Sequence, residues 1–156
     1  MVNKKALGRG EKVQDFYKSL CKKMLREYMA VRDTITDMDN RIKELEDRLT
    51  STTVRYGVDP VQGGGSSVED TYINIMAKKA LLQQNNDYNK ELVEMVEKAL
   101  DQLGKDEKDI VLTLFASGQR GMAEKLAGQY HYDKSHIYNI ANQALVKLSY
   151  KMFGGA

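Results

Sequence analysis

Apolar and aromatic residues recur at alternating steps of four and three residues through the first part of the chain. This first seam consists of Tyr17, Cys21, Met24, Tyr28, Val31, Ile35, Met38, Ile42, Leu45 and Leu49. The spacing is typical of a helix that buries one stripe against a partner helix, and charged residues such as Arg41 and Glu44 lie between the apolar positions. The pattern predicts one long helix from about Glu11 to Leu49.

The composition agrees with a helical protein. Proline occurs once, tryptophan is absent, and residues that favour helix, such as Leu, Lys, Glu, Met and Ala, are frequent. The apolar fraction of 42% is modest for a compact globule of 156 residues. We therefore expect an all-α protein that combines an extended element with a small packed domain.

A stretch rich in helix-breaking residues separates the first seam from a second one. It contains Pro60 and the triplet from Gly63 to Gly65, so a flexible loop is predicted at about 50–67. Ser67, with Asp70 three residues later, resembles an N-cap, so the next helix is expected to begin there.

The second seam keeps the same spacing but includes polar residues. Its members are Tyr72, Ile75, Lys79, Leu82, Asn86, Asn89, Val93, Val96, Leu100 and Leu103. Polar residues in a seam weaken a coiled coil while they fix its register or leave a solvated gap. The two long helices can pair as an antiparallel hairpin or between chains, because either arrangement buries one stripe.

Three short helices are predicted after the second seam. Gly104 ends the long helix, and Asp106 can cap a helix that carries Ile110, Val111, Leu114 and Phe115 on one face. The next helix covers about Met122 to Tyr130, and the last begins after Asp133, whose carboxylate can cap the amide of Ser135 or His136. The last helix carries inward Ile137, Ile140, Ala141, Ala144, Leu145 and Leu148.

The corner between the last two helices has the spacing of a helix-turn-helix. Ala127 is the small residue where the helices cross, and the apolar offsets are occupied by Leu126, Tyr130, Tyr132, Ile137 and Ile140. His131 stands where a positive φ angle would favour glycine. We predict two long heptad-patterned helices, as a helical hairpin or coiled coil, in residues 1–104 and a small helix-turn-helix domain in residues 105–156.

The segments DEKDIVLTLF, GMAEKLAGQY and DKSHIYNIANQALVKL follow one another in an order that resembles region 4 of sigma-70-type factors. Together with the upstream heptad helices and the QGGGSS loop, the chain looks like phage-encoded transcriptional regulators of the RinA and ArpU type. This resemblance implies a late-gene activator that binds promoter DNA through its C-terminal domain. In such a regulator, in the bacterial cytoplasm, the long helices would mediate self-association or contact with host RNA polymerase.

The outward face of the predicted recognition helix, with two cationic residues that precede it in the chain, supplies the candidate DNA-binding residues. They are Arg120, Lys125, Lys134, Ser135, His136, Tyr138, Asn139 and Asn142. Ser135 and His136 lie in the first turn, and Asn139 can make the paired amide contact to adenine. The three cationic residues suit phosphates. Each of these residue types is also common on any solvated helix face.

Several classes of protein are disfavoured. No secretory or transmembrane run occurs, and Cys21 is the only cysteine, which predicts a reducing cytoplasm. No catalytic, nucleotide-binding or metal-ligand motif is found, so we expect no enzyme, no cofactor and no metal. The net charge of +2 does not by itself indicate nucleic acid, although the segment before Glu27 is locally basic.

Two other functions stay open from the sequence. A small terminase subunit, or a similar DNA-packaging protein, also joins a helix-turn-helix to oligomerising helices. A helical protein-interaction module without DNA binding would carry the same buried pattern. In either case the heptad helices could support a homo-oligomer.

Overall fold

The computed structural model describes the backbone of residues 4–56 and 65–156 and the side chains of residues 13–52 and 68–156. Regular structure within these ranges is helical, which confirms the predicted all-α fold. The helices are α1 (Lys4–Arg32), α2 (Ile35–Tyr56), α3 (Gly65–Leu100), α4 (Lys105–Val111), α5 (Met122–Tyr130) and α6 (Lys134–Phe153). The chain continues from α4 directly into a π-helical turn, Leu112–Ala116.

The structure divides into two compact units. The first unit combines residues 1–31 with residues 92–156, and the second contains residues 32–91. The boundary predicted at residue 104 lies inside the first unit, because Cys21 and Leu25 of α1 share a core with Leu145 and Leu148 of α6. Heptad spacing identifies which face of a helix is buried but not which element covers it.

The prediction of a single helix from Glu11 to Leu49 is wrong, because a turn separates α1 from α2. Asp33 and Thr34 form a turn, and the Thr34 carbonyl accepts the first hydrogen bond of α2 from the amide of Met38 at 2.9 Å. Asp and Thr are weak helix formers, since their side chains offer the backbone other hydrogen bonds. The first seam continues across the break, and every one of its residues is buried or half-buried.

The loop predicted at about 50–67 is also partly wrong. Residues 50–56 extend α2, and α3 begins at Gly65, before the predicted cap Ser67. The hydroxyls of Thr50, Ser51 and Thr52 donate to backbone carbonyls four residues earlier, so these polar residues are accommodated within the helix. Residues 57–64 and the Ser67 side chain lie outside the described parts of the chain.

In the second unit, α2 and α3 pair antiparallel within the chain. Asn86 Nδ2 donates to Asp39 Oδ1 at 2.8 Å, and Lys90 Nζ contacts the same oxygen at 2.7 Å. Glu46, seven residues after Asp39, pairs with Lys79, seven residues before Asn86, at 2.9 Å. The two helices therefore run in opposite directions. Two of the polar seam residues, Asn86 and Lys79, therefore each contact a carboxylate of α2.

The first unit encloses two clusters of buried side chains. The larger cluster joins α1, the end of α3, α4 and α6, and Cys21 Sγ donates to the carbonyl of Leu145 at 3.8 Å within it. Burial raises the pKa of the Cys21 thiol to about 11, because the thiolate loses its hydration there. The smaller cluster lies beneath α5 and α6.

Two features at the start of α4 differ from the prediction. The long helix α3 ends at Leu100, and Gly104 serves as the N-cap of α4 with a φ of −63°. Asp106, the predicted cap, lies in the first turn of α4 instead. Glu107 accepts the amide hydrogen of Gly104 at 3.0 Å and is ion-paired with Lys147 of α6, which lowers the pKa of the Glu107 carboxyl.

Membrane-spanning character is not found in the described helices. None of those within residues 4–56 and 65–156 is both long enough and apolar enough to cross a bilayer.

Candidate nucleic-acid interface

A residue in the left-handed backbone conformation forms the corner between α5 and α6. His131 has φ 57° and ψ 38°, and it is the one residue other than glycine with a positive φ in the described chain. The amides of His131 and Tyr132 both donate to the carbonyl of Ala127, the latter at 3.1 Å, which closes the last turn of α5. His131 therefore has the positive φ that would favour glycine at this corner, and the turn needs only three residues before α6.

Asp133 starts α6 as an N-cap. Its backbone is extended, with φ −77° and ψ 163°, and its Oδ1 accepts the amide hydrogen of His136 at 2.7 Å. An aspartate at this position satisfies one of the free amides of the first turn and places a negative charge at the positive end of the helix dipole. The predicted cap is confirmed, with His136 as the partner.

The second cluster fixes how α5 and α6 face one another. Ile110, Leu126, Ile137 and Ala141 are fully buried. Packed around them are Leu114, Phe115, Ala127, Tyr130 and Ile140. With these residues inward, the opposite side of α6 must face outward, since neighbouring positions on a helix differ by about 100°. The inward face predicted for α6 is therefore confirmed.

Tyr132 does not hold the corner, contrary to the prediction. Its side chain is 44% exposed, and its ring lies against the Tyr130 ring at a centroid distance of 6.3 Å and an interplanar angle of 10°. The His136 ring meets Tyr132 edge-on at 4.5 Å. Tyr132 therefore makes aromatic contacts at the surface, whereas the apolar spacing had predicted a buried position for it.

The eight predicted DNA-binding residues are all exposed. On α6 these are Lys134, Ser135, His136, Tyr138, Asn139 and Asn142; Lys125 lies on α5 and Arg120 in the turn before it. The first half of α6 therefore exposes hydroxyl, imidazole and amide groups. Such groups match the donors and acceptors that base pairs display in the major groove of duplex DNA.

Lys134, which was predicted to bind phosphate, is already paired with a carboxylate. Its Nζ forms an ion pair with Glu124 Oε1 of α5. The hydrogen bond between them lowers the pKa of the Glu124 carboxyl and raises the pKa of the Lys134 ammonium. Both groups are exposed, so water screens the pair and a phosphate can compete with Glu124.

Arg120 and Tyr138 share a groove that sequence reasoning did not predict. Its volume is about 310 Å³, and it lies between the turn before α5 and the outward side of α6. The lining residues are Leu114, Phe115, Gln119, Arg120, Gly121, Met122, Ala123, Glu124 and Tyr138. Leu114 and Phe115, which were predicted to share one face of a helix, both lie in the π-helical turn and both line this groove.

An acidic residue that looks unfavourable for DNA binding has a structural role. Asp109 Oδ2 accepts a hydrogen bond from Tyr130 Oη at 2.6 Å and a weaker one from Gln129 Nε2 at 3.4 Å. The Asp109 carboxylate raises the pKa of Tyr130 to about 12, because it stabilises the neutral phenol as a donor. The contact joins the end of α5 to α4.

The chain matches no protein-family model, no curated protein and no solved structure. Its function is therefore inferred from the surface that α5, α6 and their corner present.

Proposed function

We propose that the protein is a sequence-specific DNA-binding transcriptional regulator that inserts the first half of α6 into the major groove. The observation that carries this proposal is the pairing of a left-handed corner at His131 with an Asp133-capped helix whose first buried residues, Ile137 and Ala141, pack against α4 and α5. In a helix-turn-helix the same combination holds a recognition helix rigidly and leaves its first turns free for base edges.

The outward residues divide by the chemistry of their side chains. Asn139 and Asn142 offer an amide donor and acceptor together, which suits the N6 and N7 edge of adenine. His136 and Ser135 reach bases from the first turn, and Tyr138 can contact a sugar or a thymine methyl. Arg120 and Lys125 suit phosphates, and Lys134 joins them when a phosphate replaces Glu124.

The wider biological role rests on the resemblance to phage regulators of the RinA and ArpU type. In this role the protein acts in the cytoplasm of a bacterial host as a late-gene activator, with promoter DNA and host RNA polymerase as partners. The long helices would support self-association or the polymerase contact. Positioning, rather than catalysis, would be the mechanism.

The proposal is tested by selection from a pool of random-sequence duplexes, followed by fluorescence anisotropy with the enriched sequence. His136→Ala and Asn139→Ala should each weaken binding to that sequence by about 1–3 kcal/mol and change binding to unselected duplex little. Asn40→Ala is the matched control, because Asn40 is an exposed amide on α2 of the second unit. Absence of enrichment together with absence of salt-sensitive duplex binding would overturn the proposal.

A second candidate function, protein docking without DNA, is favoured by the exposed aromatic side chains. Tyr132 and Tyr138 are 44% and 45% exposed, and such side chains are common at the centre of protein interfaces. In that case Tyr132→Ala and Tyr138→Ala would abolish capture of purified host RNA polymerase while duplex binding is absent throughout. A ring of many subunits in light scattering would instead favour the DNA-packaging alternative.

A further inference from the structure

Two cationic residues of α1 contact Phe115, which lines the groove that contains Arg120 and Tyr138. Lys22 Nζ sits over the Phe115 ring at 4.6 Å from its centroid, and Arg26 Nε donates to the Phe115 carbonyl at 3.4 Å. Phe115 in turn lines the groove with Arg120. Two cations therefore contact Phe115 directly and a third, Arg120, shares its groove, although nearly a hundred positions of sequence separate Lys22 from Arg120.

Their charge is available to a ligand. Among the side chains of residues 13–52 and 68–156, no carboxylate is ion-paired with Lys22, Arg26 or Arg120. Neighbouring Lys23, in contrast, is paired with Glu27 at 3.7 Å. Arg26 is exposed and uses only Nε in its contact with Phe115, so its Nη groups can meet a second acceptor.

The contacts with Phe115 also restrict the orientations of the Lys22 and Arg26 side chains. A cation over an aromatic face and a guanidinium bonded to a carbonyl lose less conformational freedom on binding than free lysine or arginine side chains do. Glu124, the one carboxylate among the residues that line the groove, is ion-paired with Lys134. An anionic polymer held at this groove can contact Arg120 in its lining, and Lys22 and Arg26 where they meet Phe115.

We propose that Lys22 and Arg26 of α1, with Arg120, form a second phosphate-binding site that holds the DNA backbone next to the segment read by α6. We call these three residues the Phe115 basic cluster. The proposal rests on the proposed DNA-binding function and extends it, because it gives α1 a direct part in binding that the helix-turn-helix alone does not have. The cluster would strengthen binding equally for every sequence, since phosphates carry no base identity.

The experiment measures the salt dependence of binding to an unselected duplex by fluorescence anisotropy. Each phosphate contact contributes about 0.9 to the slope of log K against log salt, so Lys22→Gln with Arg26→Gln should lower the slope by about 1.8. Over a fourfold rise in salt, the wild type should lose about tenfold more affinity than the double variant. The preference for a selected sequence over unselected duplex should stay within about twofold of wild type.

Two matched variants give the controls. Lys105→Gln with Lys151→Gln removes the same charge from the first unit, but at the start of α4 and the end of α6. Its slope should change by less than about half a unit. Lys22→Arg with Arg26→Lys keeps both charges and should keep the wild-type slope. The single variant Arg26→Gln changes only an exposed side chain and should lower the slope by about 0.9.

The results separate this inference from the function on which it rests. If wild-type protein binds duplex and the double variant keeps the wild-type slope, the Phe115 basic cluster is overturned and DNA binding by α6 stands. An equal fall in slope for the Lys105 and Lys151 variant also overturns the cluster, because total charge would then explain the effect. If wild-type protein shows no salt-sensitive binding to duplex, both proposals fail together.

Discussion

Replacing His131 by glycine should stabilise the protein. The backbone of His131 lies at φ 57° and ψ 38°, a conformation that costs an ordinary residue about 1–2 kcal/mol and costs glycine almost nothing. The gain is reduced by about 0.5–1 kcal/mol, because glycine has more conformational freedom to lose on folding. His131 is exposed, so its ring contributes little burial. The net expectation for His131→Gly is a gain of a few tenths to about 1 kcal/mol.

The size of the effect can be ranked across substitutions. His131→Ala keeps the left-handed strain and should change the free energy of unfolding by less than about 0.5 kcal/mol. His131→Val should cost about 1 kcal/mol or more, because a β-branched side chain tolerates positive φ worst. Lys125→Gly in the middle of α5 is the opposite-sign control, with a cost of about 1 kcal/mol for glycine in a helix interior.

The assay is chemical denaturation followed by circular dichroism, supported by thermal melting. For a chain of this size, 1 kcal/mol corresponds to a shift in Tm of about 2–4 °C. A clear loss of stability in His131→Gly would refute the reasoning, because it would mean that the imidazole packs or hydrogen-bonds at the corner. Equal stability of the glycine and valine variants would refute it as well, since backbone strain could not then be the cause.

Three further predictions concern single contacts. Asp133→Ala should lower the free energy of unfolding by about 1 kcal/mol, because the hydrogen bond to the His136 amide is lost. Asp133→Asn should keep most of that stability, since asparagine also caps helices. Equal losses for the two variants in urea denaturation would rule the cap out. Asn86→Leu should raise the free energy of unfolding by about 1 kcal/mol, because Asn86 is buried and its Oδ1 has no partner in the described structure. Asp39 keeps its contact with Lys90 in this variant. A less stable variant would show that the contact between Asn86 and Asp39 dominates. Tyr130 should contribute stability that is complete below about pH 10 and disappears as the pH rises through about 12, since folding raises its pKa. Tyr130→Phe should be less stable than wild type at neutral pH by about 1 kcal/mol and should lose that difference above pH 12, and a difference independent of pH would contradict the Asp109 contact.

The heptad pattern predicted the buried faces well because it depends on local geometry alone. Every residue of the second seam is buried or half-buried, including the polar Lys79, Asn86 and Asn89. The pattern missed the break at Asp33 and Thr34, because the apolar spacing continues across that turn. Heptad spacing records which residues avoid water and carries no direct information on backbone continuity.

The corner was predictable in its backbone but not in its side chains. Positive φ at His131 and capping by Asp133 follow from short-range rules, and the structure has both. Exposure of Tyr132, the Glu124 and Lys134 ion pair and the approach of Lys22 to Phe115 depend on how separate elements pack. Such contacts between distant positions leave no periodic trace in a single sequence.

The core of the first unit is assembled from both ends of the described chain. Cys21 Sγ and the Leu145 carbonyl are separated by 124 positions, with the whole second unit synthesised between them. At a translation rate of about 5–20 residues per second, Cys21 is synthesised roughly 6–25 s before Leu145, so the apolar side of α1 lacks α6 for that time. The hairpin of α2 and α3 can meanwhile form from neighbouring sequence. Nascent chains that stop before Leu145 would therefore have a folded hairpin, and the part of α1 that α6 normally covers would be exposed to chaperones or to aggregation.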